Sequence, residues 1–410
     1  MKLWIISLFD PTPVDQPISP RFIGIANAAV NRNFKVTHFT STFRHTNKKH
    51  RYENDFCHSE NDLYDVVFLK SMSYKHNMLP KRFIAHLDFA KKLIIKMNTM
   101  PNPDTIFISM PPLSTVHLVT KWGKENNVPV IIDIIDPWPD SFIKDVPDRL
   151  KKFSKYFLFS FYKKLKSSFE NSSGITAISN GYLKWASEFH SQKKRTSCFY
   201  LAIDFKDVKK TYSRVSKLNI KKNKNILRLI YSGSLASSYD IPSILKAAKI
   251  LNKKYPGKTE FIITGNGPQK EIILESEKKL QNIKYLGWVS KEELLKQYYL
   301  ADLGLIQHKN SLTQTITYKF FNYLSAGLPI LNSLQTEMAD LIEENMLGFN
   351  NFEGDANKLA KNIELFIDNN NLLDEYKENA LSFTAKKGDS TVVYDELISF
   401  IKKTVVKSKV

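Results

Sequence analysis

Cysteine is scarce in this sequence, and long apolar runs are missing from it. The 410 residues contain two cysteines, Cys57 and Cys198, which lie too far apart in sequence to suggest a disulfide framework or a metal site. This scarcity indicates a reducing compartment such as the cytosol. The first apolar run, in MKLWIISLFDP, stops at Asp10 without a signal-peptide cleavage site, and no run reaches the roughly 20 residues of a membrane span. We therefore expect a soluble or peripherally attached protein.

Low-complexity segments and recognisable nucleic-acid-binding modules are also missing. With 42% hydrophobic and 12% aromatic residues, the composition is that of a folded globular protein, and 410 residues predict two domains. The net charge of +19 is the one extreme value. Such an excess attracts polyanions, which include nucleic acids, anionic membranes and phosphorylated substrates. Because the lysines are spread along the chain, we do not expect nucleic acid to be the partner.

Short apolar runs alternate with amphipathic stretches over most of the chain, which is the pattern of βα units on a parallel sheet. The predicted fold is therefore α/β, with two tandem Rossmann-like, doubly wound domains over residues 1–204 and 226–385. Lysine-rich residues 205–225 are predicted to be a linker, and residues 386–410 a helix that packs back on the first domain. Such sheets bind ligands at the carboxyl ends of their strands, so we expect a site in the cleft between the domains. The predicted strands are Leu3–Phe9, Phe34–Ser41, Asp65–Lys70, Thr105–Met110, Val128–Ile135, Gly174–Ser179, Leu227–Ser232, Glu260–Thr264, Ile283–Leu286, Leu303–Gln307 and Leu328–Leu331.

Three segments of the second half place small or basic residues where a helix follows a strand. YSGSLASSYD (Tyr231–Asp240) and TGNGP (Thr264–Pro268) each follow a predicted strand. TITYKFFNYLSAGLPIL predicts a short helix headed by Lys319, a stop at Gly327 and a buried strand. Glycine lets the backbone approach a ligand, and a helix N-terminus offers N–H groups to an anion. Each segment alone is compatible with an ordinary loop or a surface lysine, whereas the three together predict a phosphate site.

These segments, together with NIKYLGWVSKEEL and ADLGLIQH, resemble the retaining glycosyltransferases of the family 4 type, which have the GT-B fold. In the first half, TSTFRHTNKKHR, SMPPLST and VIIDIIDPWPDSF resemble a bacterial subgroup that assembles capsule, O-antigen and exopolysaccharide. The resemblance covers nearly the whole chain. It implies a cytoplasmic enzyme at the inner face of the cell membrane, which transfers a sugar from a nucleotide-sugar to a lipid-linked oligosaccharide.

The resemblance also implies which residues bind the donor. Lys319 corresponds to a position that faces the donor diphosphate, where a cation stabilises the charge on the leaving nucleoside diphosphate. The sequence has no Asp-x-Asp pair, so neither a metal nor another cofactor is expected. The implied donor-binding residues are Gly233, Ser234, Gly265, Asn266, Gly267, Val289, Gln314, Lys319 and Asn322.

The sequence departs from the family pattern at three of these positions. Gln314 and Asn322 replace two glutamates, and Ser234 replaces the usual arginine. An amide accepts a hydrogen bond from a sugar or ribose hydroxyl but carries no negative charge. An alternative therefore stays open, in which the protein is a catalytically weakened relative that acts as a binding or partner subunit.

In the first half, Asp136 follows a predicted strand in DPWPD, where an acid can meet an acceptor hydroxyl, and Trp138 beside it is a candidate for acceptor binding. His45, in FRHTNKKHR, can orient or deprotonate the acceptor. Arg21 heads a predicted helix and is the third candidate for acceptor binding. The alternatives are an aspartate that caps the next turn and a solvated loop histidine.

Residues 149–169, RLKKFSKYFLFSFYKKLKSSF, form an amphipathic pattern at helical spacing. One face is apolar and predicts an ordinary core contact. The opposite face mixes lysines with aromatic residues, which is typical of a helix on an anionic membrane surface, although a solvated charged face is the alternative. The predicted membrane contacts are Lys151, Lys155, Phe159, Tyr162, Lys163 and Lys166.

Overall fold

The computed structural model describes residues 1–15, 21–75, 81–143, 149, 158–190, 194–217, 222–223, 225–309 and 315–408. The chain divides into two compact units, each with its own parallel sheet. The first unit comprises Met1–Tyr200 and Val393–Val410, and the second comprises Leu201–Val392. Gln314, Lys151 and Lys155 lie outside the described residues.

The first unit is built on an eight-stranded sheet with the order β10-β9-β8-β7-β1-β2-β6-β5. Its described helices are α1 (Arg21–Val30), α2 (Lys81–Asn98), α3 (Leu113–Glu125), α4 (Phe159–Asn171) and α5 (Asn180–Ala186). A two-stranded hairpin, β3-β4, stands apart from the sheet. The strands are β1 (Lys2–Ile6), β2 (Lys35–Ser41), β3 (Phe43–Arg44), β4 (Lys49–His50), β5 (Phe56–Asn61), β6 (Tyr64–Leu69), β7 (Thr105–Met110), β8 (Val130–Ile134), β9 (Gly174–Ala177) and β10 (Arg195–Cys198).

The second unit contains a six-stranded parallel sheet with the order β13-β12-β11-β14-β15-β16. Its strands are β11 (Leu227–Ser232), β12 (Thr259–Thr264), β13 (Ile283–Gly287), β14 (Leu303–Ile306), β15 (Ile330–Asn332) and β16 (Gly348–Asn350). The helices are α6 (Phe205–Ser216), α7 (Ile241–Lys254), α8 (Lys270–Lys279), α9 (Lys291–Leu300), α10 (Tyr318–Ser325), α11 (Glu337–Glu344), α12 (Ala356–Asp368) and α13 (Asn370–Lys387). The last helix, α14 (Ser390–Ser408), contributes its residues from Val393 onward to the first unit.

The central strands of both sheets are buried on both faces, which explains their continuous apolar sequences. Every residue of β7 and of β8 is buried in the first unit, and all four residues of β14 are buried in the second. Parallel sheets have helices on both faces, so their strands lack polar alternation. The doubly wound α/β fold predicted from these runs is confirmed, and all eleven predicted strands overlap observed ones.

The structure differs from the prediction at the boundary between the units. Residues 205–225, predicted to be a linker, contain α6, whose first turn is capped by the Asp204 carboxylate at 2.9 Å from the Asp207 amide. Phe205, Val208 and Val215 have helical spacing and are buried, and the helix packs against α9. Lysine richness therefore reflects the exposed face of an amphipathic helix in this segment.

Candidate functional site

The carboxyl ends of β11, β12 and β13 bring three loops together in the second unit. The Gly233 amide donates to the Thr264 carbonyl at 3.0 Å, and the Gly265 amide donates to the Gly287 carbonyl at 2.8 Å. The Leu235 amide donates to the Asn266 carbonyl at 3.0 Å. These bonds hold the two predicted glycine turns against each other, so the Gly233 and Gly265 amides serve the loops instead of an anion.

Glycine is required in these turns because the loops approach too closely for a side chain. Gly265 has a φ of +136°, and a Cβ atom there would lie 1.7 Å from the Gly233 carbonyl oxygen. At Gly233, with a φ of +128°, a Cβ atom would lie 2.8 Å from Cε of Lys319. Both φ values fall in the region that L side chains rarely adopt. The second contact shows that Gly233 makes room for the lysine.

Lys319, in the first turn of α10, points its ammonium group at two tyrosine rings. Nζ lies 4.2 Å from the ring centre of Tyr231 and 4.1 Å from that of Tyr239, and it donates to the Tyr231 hydroxyl at 3.2 Å. That hydroxyl in turn donates to the Ser234 carbonyl at 2.6 Å. These contacts hold the lysine beside Gly233, and no carboxylate of the described residues forms an ion pair with it.

The electrostatics around Lys319 disfavour a bare positive charge. Burial lowers the pKa of Lys319 from 10.5 to about 7. His308 lies nearby, its ring centre 4.6 Å from that of Tyr239, and burial together with Lys319 lowers the pKa of His308 to about 3. An anion placed beside Lys319 would replace the missing counter-charge and favour the protonated ammonium.

Most of the predicted donor residues line one pocket of about 430 Å³, a volume within the range of small-molecule sites. Gly267 is absent from the lining; its amide donates to the Asn266 side chain at 2.9 Å. Trp288, which the sequence reasoning missed, lines the same pocket and is 80% exposed. The sequence feature that could have identified it is an aromatic residue between Gly287 and Val289 in LGWVS. The predicted residues in the lining are Gly233, Ser234, Gly265, Asn266, Val289, Lys319 and Asn322.

The helix N-termini around this pocket differ in how they are capped. The Asp240 carboxylate caps α7 by accepting from the Ser243 amide at 3.2 Å, so that N-terminus already has an anion. The N-terminus of α10 has no side-chain cap, and the buried hydroxyl of its N-cap residue, Thr317, has no hydrogen-bond partner among the described residues. The α10 N-terminus, which carries Lys319 and has no side-chain cap, is therefore suited to an anion.

In the first unit, Asp136 follows β8 and is oriented by its neighbours. Its two carboxylate oxygens accept hydrogen bonds from the Trp138 indole at 3.0 Å and from the Ser141 hydroxyl at 2.5 Å. The side chain is half-buried at the carboxyl end of its strand. Asp136 is therefore held by hydrogen bonds from its own loop and from the short turn that follows it.

Two of the residues predicted to bind the acceptor are structural in this fold. Arg21 is 1% exposed; it binds both carboxylate oxygens of Asp133 at 2.8 and 3.1 Å and donates to the Phe199 and Tyr200 carbonyls. Trp138 is 3% exposed, and its indole N–H is used by Asp136. Arg21 thus ties α1 to β8 as part of a buried ion pair, and Trp138 acts on Asp136 instead of reaching a ligand itself.

His45 is close to Tyr74 and Lys48. Its Nδ1 atom lies 2.6 Å from the Tyr74 hydroxyl and 3.2 Å from the Lys48 ammonium. Burial, with Lys48 and Arg82, lowers the pKa of His45 to about 4. Arg82, at the start of α2, was missed by the sequence reasoning. Its guanidinium lies 5.0 Å from the Trp138 ring centre, beside Asp136.

The predicted membrane face is partly exposed. In α4, Phe159 is 68% exposed and Lys163 and Lys166 are exposed, whereas Leu165 is buried. Tyr162 departs from the prediction because its hydroxyl donates to Asp140 and its ring stacks on Phe189 with centres 5.8 Å apart. This tyrosine packs within the first unit.

The described residues contain neither a helix suited to span a membrane nor a cluster of metal ligands. No helix among them combines the length and the apolar composition that crossing a bilayer requires. Within the same residues, no group of three or more His, Cys, Asp or Glu side chains is arranged to hold a metal ion.

Comparisons with known proteins agree with this architecture. Residues 213–383 match the family described as glycosyl transferases group 1. The chain is 26% identical over 246 residues to chitobiosyldiphosphodolichol beta-mannosyltransferase of Candida albicans. This alignment covers 57% of this chain and 53% of that protein. The chain spans about half or less of the length of the curated relatives it matches.

Solved structures match the chain over almost its whole length. HepE from Anabaena, in complex with UDP-glucose, matches with a TM-score of 0.66 at 15% identity. The match covers 98% of this chain and 100% of the HepE chain. WaaG, a glycosyltransferase involved in lipopolysaccharide biosynthesis, matches with a TM-score of 0.65 at 12% identity, over 98% of this chain and 99% of the WaaG chain. The fold is GT-B, as predicted, and the matching domain supports a GT-B glycosyltransferase.

Proposed function

We propose that this protein is a glycosyltransferase that moves a sugar from a nucleotide-sugar to an acceptor hydroxyl. The observation that carries this proposal is Lys319, a half-buried cation without a described carboxylate partner, at the head of the uncapped helix α10 in a donor-sized pocket. The matching family domain and the structural neighbours, one of which holds UDP-glucose, support it.

The pocket supplies what the departure of a nucleoside diphosphate requires. Negative charge develops on the diphosphate as the glycosidic bond breaks, and a preorganised cation with helix-end N–H groups stabilises that charge. Lys319 and the first turn of α10 fill these roles. Because a fixed ammonium supplies the positive charge, we propose that no metal ion is needed. The exposed Trp288 offers a stacking surface for the base.

In the first unit, Asp136 is the residue that receives the acceptor hydroxyl. Its carboxylate is held by Trp138 and Ser141, which leaves it oriented for a further hydrogen bond. We propose a lipid-linked oligosaccharide as the acceptor, in cell-surface polysaccharide synthesis of the capsule or O-antigen type. The name of the Candida albicans relative specifies an acceptor on diphosphodolichol, which supports a lipid diphosphate. Retention of configuration, implied by the family 4 resemblance, is decided by NMR of the product.

Thermal stabilisation by nucleotide-sugars tests the proposal. A ligand that binds only the folded state raises the melting temperature, by about 2.7 kcal/mol of stability at 100 times its Kd. We expect one nucleotide-sugar of a panel to stabilise the wild type and to leave Lys319→Met unchanged, since methionine keeps the length but removes the charge. The stabilising donor should then release its nucleoside diphosphate during turnover. Equal shifts in both proteins would contradict the assignment.

A second candidate is a donor-binding partner subunit with weakened catalysis. Asn322 lines the donor pocket where a carboxylate is usual in the resembling family, so the pocket has one negative charge fewer there. This candidate predicts nucleotide-sugar binding without turnover by the purified chain. Restored turnover in Asn322→Glu, with unchanged binding, would identify the amide as the cause.

We also propose that the protein attaches peripherally to the anionic inner face of the cell membrane. Besides Phe159, helix α2 exposes a stripe of Ile84, Leu87 and Ile95, which are 50%, 41% and 66% exposed. Lys91 lies on the same stripe, and α2 and α4 both pack against α3. Lysines near an anionic surface contribute about 1 kcal/mol each, and apolar side chains add a salt-resistant part.

Vesicle co-sedimentation tests this attachment. We expect the wild type to bind vesicles that contain anionic lipid at low salt, and Ile84→Ser with Ile95→Ser and Phe159→Ser to lose most of that binding. Phe352→Ser is the matched control, because Phe352 is 64% exposed in the second unit. Equal sedimentation of all three proteins would exclude this surface as the anchor.

A further inference from the structure

Two tyrosine rings form a corner beside the donor pocket of the second unit. Tyr231 is the next-to-last residue of β11, and Tyr239 lies in the loop between this strand and α7. Their ring planes are 75° apart, and their centres are separated by 6.1 Å. The Lys319 ammonium lies over both rings, 4.2 Å from the Tyr231 centre and 4.1 Å from the Tyr239 centre. This aromatic corner, formed by Tyr231 and Tyr239, therefore surrounds the ammonium group on two sides.

The aromatic corner stabilises a positive charge without neutralising it. A cation over an aromatic face is attracted by the ring quadrupole, and the attraction grows as water is excluded. The Tyr231 side chain is fully buried, and Tyr239 is half-buried. Lys319 forms no ion pair with a carboxylate of the described residues, and Asn322 on the same helix is an uncharged amide. The charge of Lys319 is thus uncompensated and can meet an anionic ligand.

The contacts of the aromatic corner also fix where the ammonium points. Its Nζ atom donates to the Tyr231 hydroxyl at 3.2 Å, and that hydroxyl donates to the Ser234 carbonyl at 2.6 Å. An ammonium group has three N–H donors, and the Tyr231 hydroxyl is its one hydrogen-bond acceptor in the described part of the chain. Gly233 leaves room beside it, since a Cβ atom there would lie 3.3 Å from Nζ. Lys319 and Gly233 both line the donor pocket, so the remaining donors are available to a ligand there.

We infer that Tyr231 and Tyr239 are positioning residues for donor binding, because they hold the Lys319 ammonium at the pocket before a diphosphate arrives. The inference rests on the proposed function, in which Lys319 binds that diphosphate. Lysine has a flexible four-carbon stem, and immobilising such a side chain during binding weakens affinity. The aromatic corner immobilises it beforehand. Ser234 takes the place of the usual arginine, so the pocket depends on the accurate placement of the one cation among its described lining residues.

The alternative is that the two rings only fill space in the core. Tyr239 does pack edge-to-face on His308, with ring centres 4.6 Å apart. Its hydroxyl, however, makes no hydrogen bond to the described residues, so phenylalanine can replace Tyr239 with every ring contact kept. A space-filling role predicts that the losses in Tyr239 variants are independent of Lys319. A positioning role predicts that they disappear when the ammonium is absent.

Nucleotide titration into the 410-residue chain tests the inference. UDP, GDP, ADP and CDP are titrated by calorimetry, and the one that the wild type binds most tightly is the probe. Tyr239→Leu removes the ring and keeps an apolar side chain, so the affinity should fall about three- to tenfold. Tyr239→Phe keeps the ring and should retain the wild-type affinity within a factor of two. Tyr231→Phe loses only the hydroxyl and should weaken binding about threefold.

Tyr255→Leu is the matched control, because it removes another half-buried ring that carries a lysine. Tyr255 is the C-cap residue of α7, and the Lys254 ammonium lies 5.3 Å from its ring centre. It does not belong to the described lining of the donor pocket. Its removal should therefore leave the affinity for the probe unchanged. Melting temperatures of all variants confirm that each is folded at the temperature of the titration.

Lys319→Met shows whether the rings act through the ammonium. Adding Tyr239→Leu to Lys319→Met should weaken binding by less than a factor of two, because the group that the ring positions is already gone. The same loss in both backgrounds, or wild-type affinity in Tyr239→Leu, would overturn the inference and leave the proposed function standing. If the wild type binds none of the four nucleotides, the proposed function itself is contradicted, and the inference falls with it.

Discussion

The candidate sites of the two units differ in whether backbone turns or side chains form them. In the second unit, the pocket is formed by backbone turns at Gly233 and Gly265, and Lys319 is the one cation among the described residues that line it. In the first unit, the candidate site consists of side chains, since Arg82 and His86 of α2 meet the loop of Asp136 through the Trp138 ring. On the proposed function, the pocket binds a diphosphate group that is common to many nucleotide-sugars, so the α10 N-terminus and one lysine would suffice for it. An acceptor varies, and variable side chains distinguish it.

The largest effect should come from removing the cation of the second unit. Lys319→Ala should reduce sugar transfer roughly 10²- to 10³-fold, the range seen when one preorganised group at a developing anion is lost. The fold should survive, because the ammonium makes one hydrogen bond and no ion pair to described residues. Steady-state kinetics measure the loss, and Lys319→Met separates charge from volume. Transfer within a factor of two of the wild type would break the assignment.

The difference between backbone turns and side chains also explains which residues of the two sites could be predicted from the sequence. The donor pocket was predictable because glycine turns and a helix-heading lysine are local signals, and seven of the predicted residues line the pocket. Trp288 was missed because one exposed tryptophan in a loop carries no periodicity. Arg21 was misplaced because sequence cannot reveal its partner Asp133, which is 112 residues away. Arg82 and His86 were missed for a related reason, since the aromatic rings they contact are brought together only by folding.

Three of the four edge strands of the two sheets, β5, β10 and β16, were not predicted from the sequence. Strand β5, FCHSEN, is polar and mostly exposed, and it pairs antiparallel with β6 at the sheet margin. Its sequence lacks both the apolar run of a central strand and the alternation of a half-buried one. The short strands β10 and β16 have the same difficulty, whereas the buried central strands β7 and β11 were predicted to the residue.

Removing the charge of Asp136 in the first unit should have a smaller effect on sugar transfer. Asp136→Asn should lower transfer roughly 10- to 100-fold, the value of a charge-assisted hydrogen bond to the acceptor hydroxyl. Donor affinity should stay within a factor of two, because Asp136 belongs to the other unit. Transfer kinetics and donor titration are both needed. Loss of both properties would show that the DPWPD loop is structural and would remove the distinction between the sites.

Removing the exposed tryptophan that is proposed to stack on the donor base should have a moderate effect on donor binding. Trp288→Ala should weaken donor binding about tenfold, since stacking of a base on an aromatic ring contributes roughly 1–3 kcal/mol. The melting temperature should not fall, because the tryptophan is 80% exposed. Calorimetric titration with the preferred nucleoside diphosphate measures the change. Trp288→Phe, which keeps an aromatic face, should retain most of the affinity, and equal losses in both variants would contradict stacking.

The smallest effect should be a dependence of donor affinity on pH. The pKa of Lys319 is about 7 without ligand, and an anion binds the protonated form. Affinity should therefore be full below pH 6 and fall as pH rises through 7, with proton uptake on binding. Titrations in buffers of different ionisation enthalpy reveal the uptake. Lys319→Arg should shift the dependence out of this range, and an unchanged profile would assign it to another group.

The most direct test of the division between the units is titration of a nucleoside diphosphate into three proteins: wild type, Lys319→Met and Asp136→Asn. Calorimetry reports binding alone, so acceptor identity and catalytic rate do not enter. The account predicts one site per chain in the wild type, the same affinity in Asp136→Asn, and a loss of roughly tenfold or more in Lys319→Met. Equal affinity in Lys319→Met and the wild type would contradict the assignment of the donor diphosphate to Lys319.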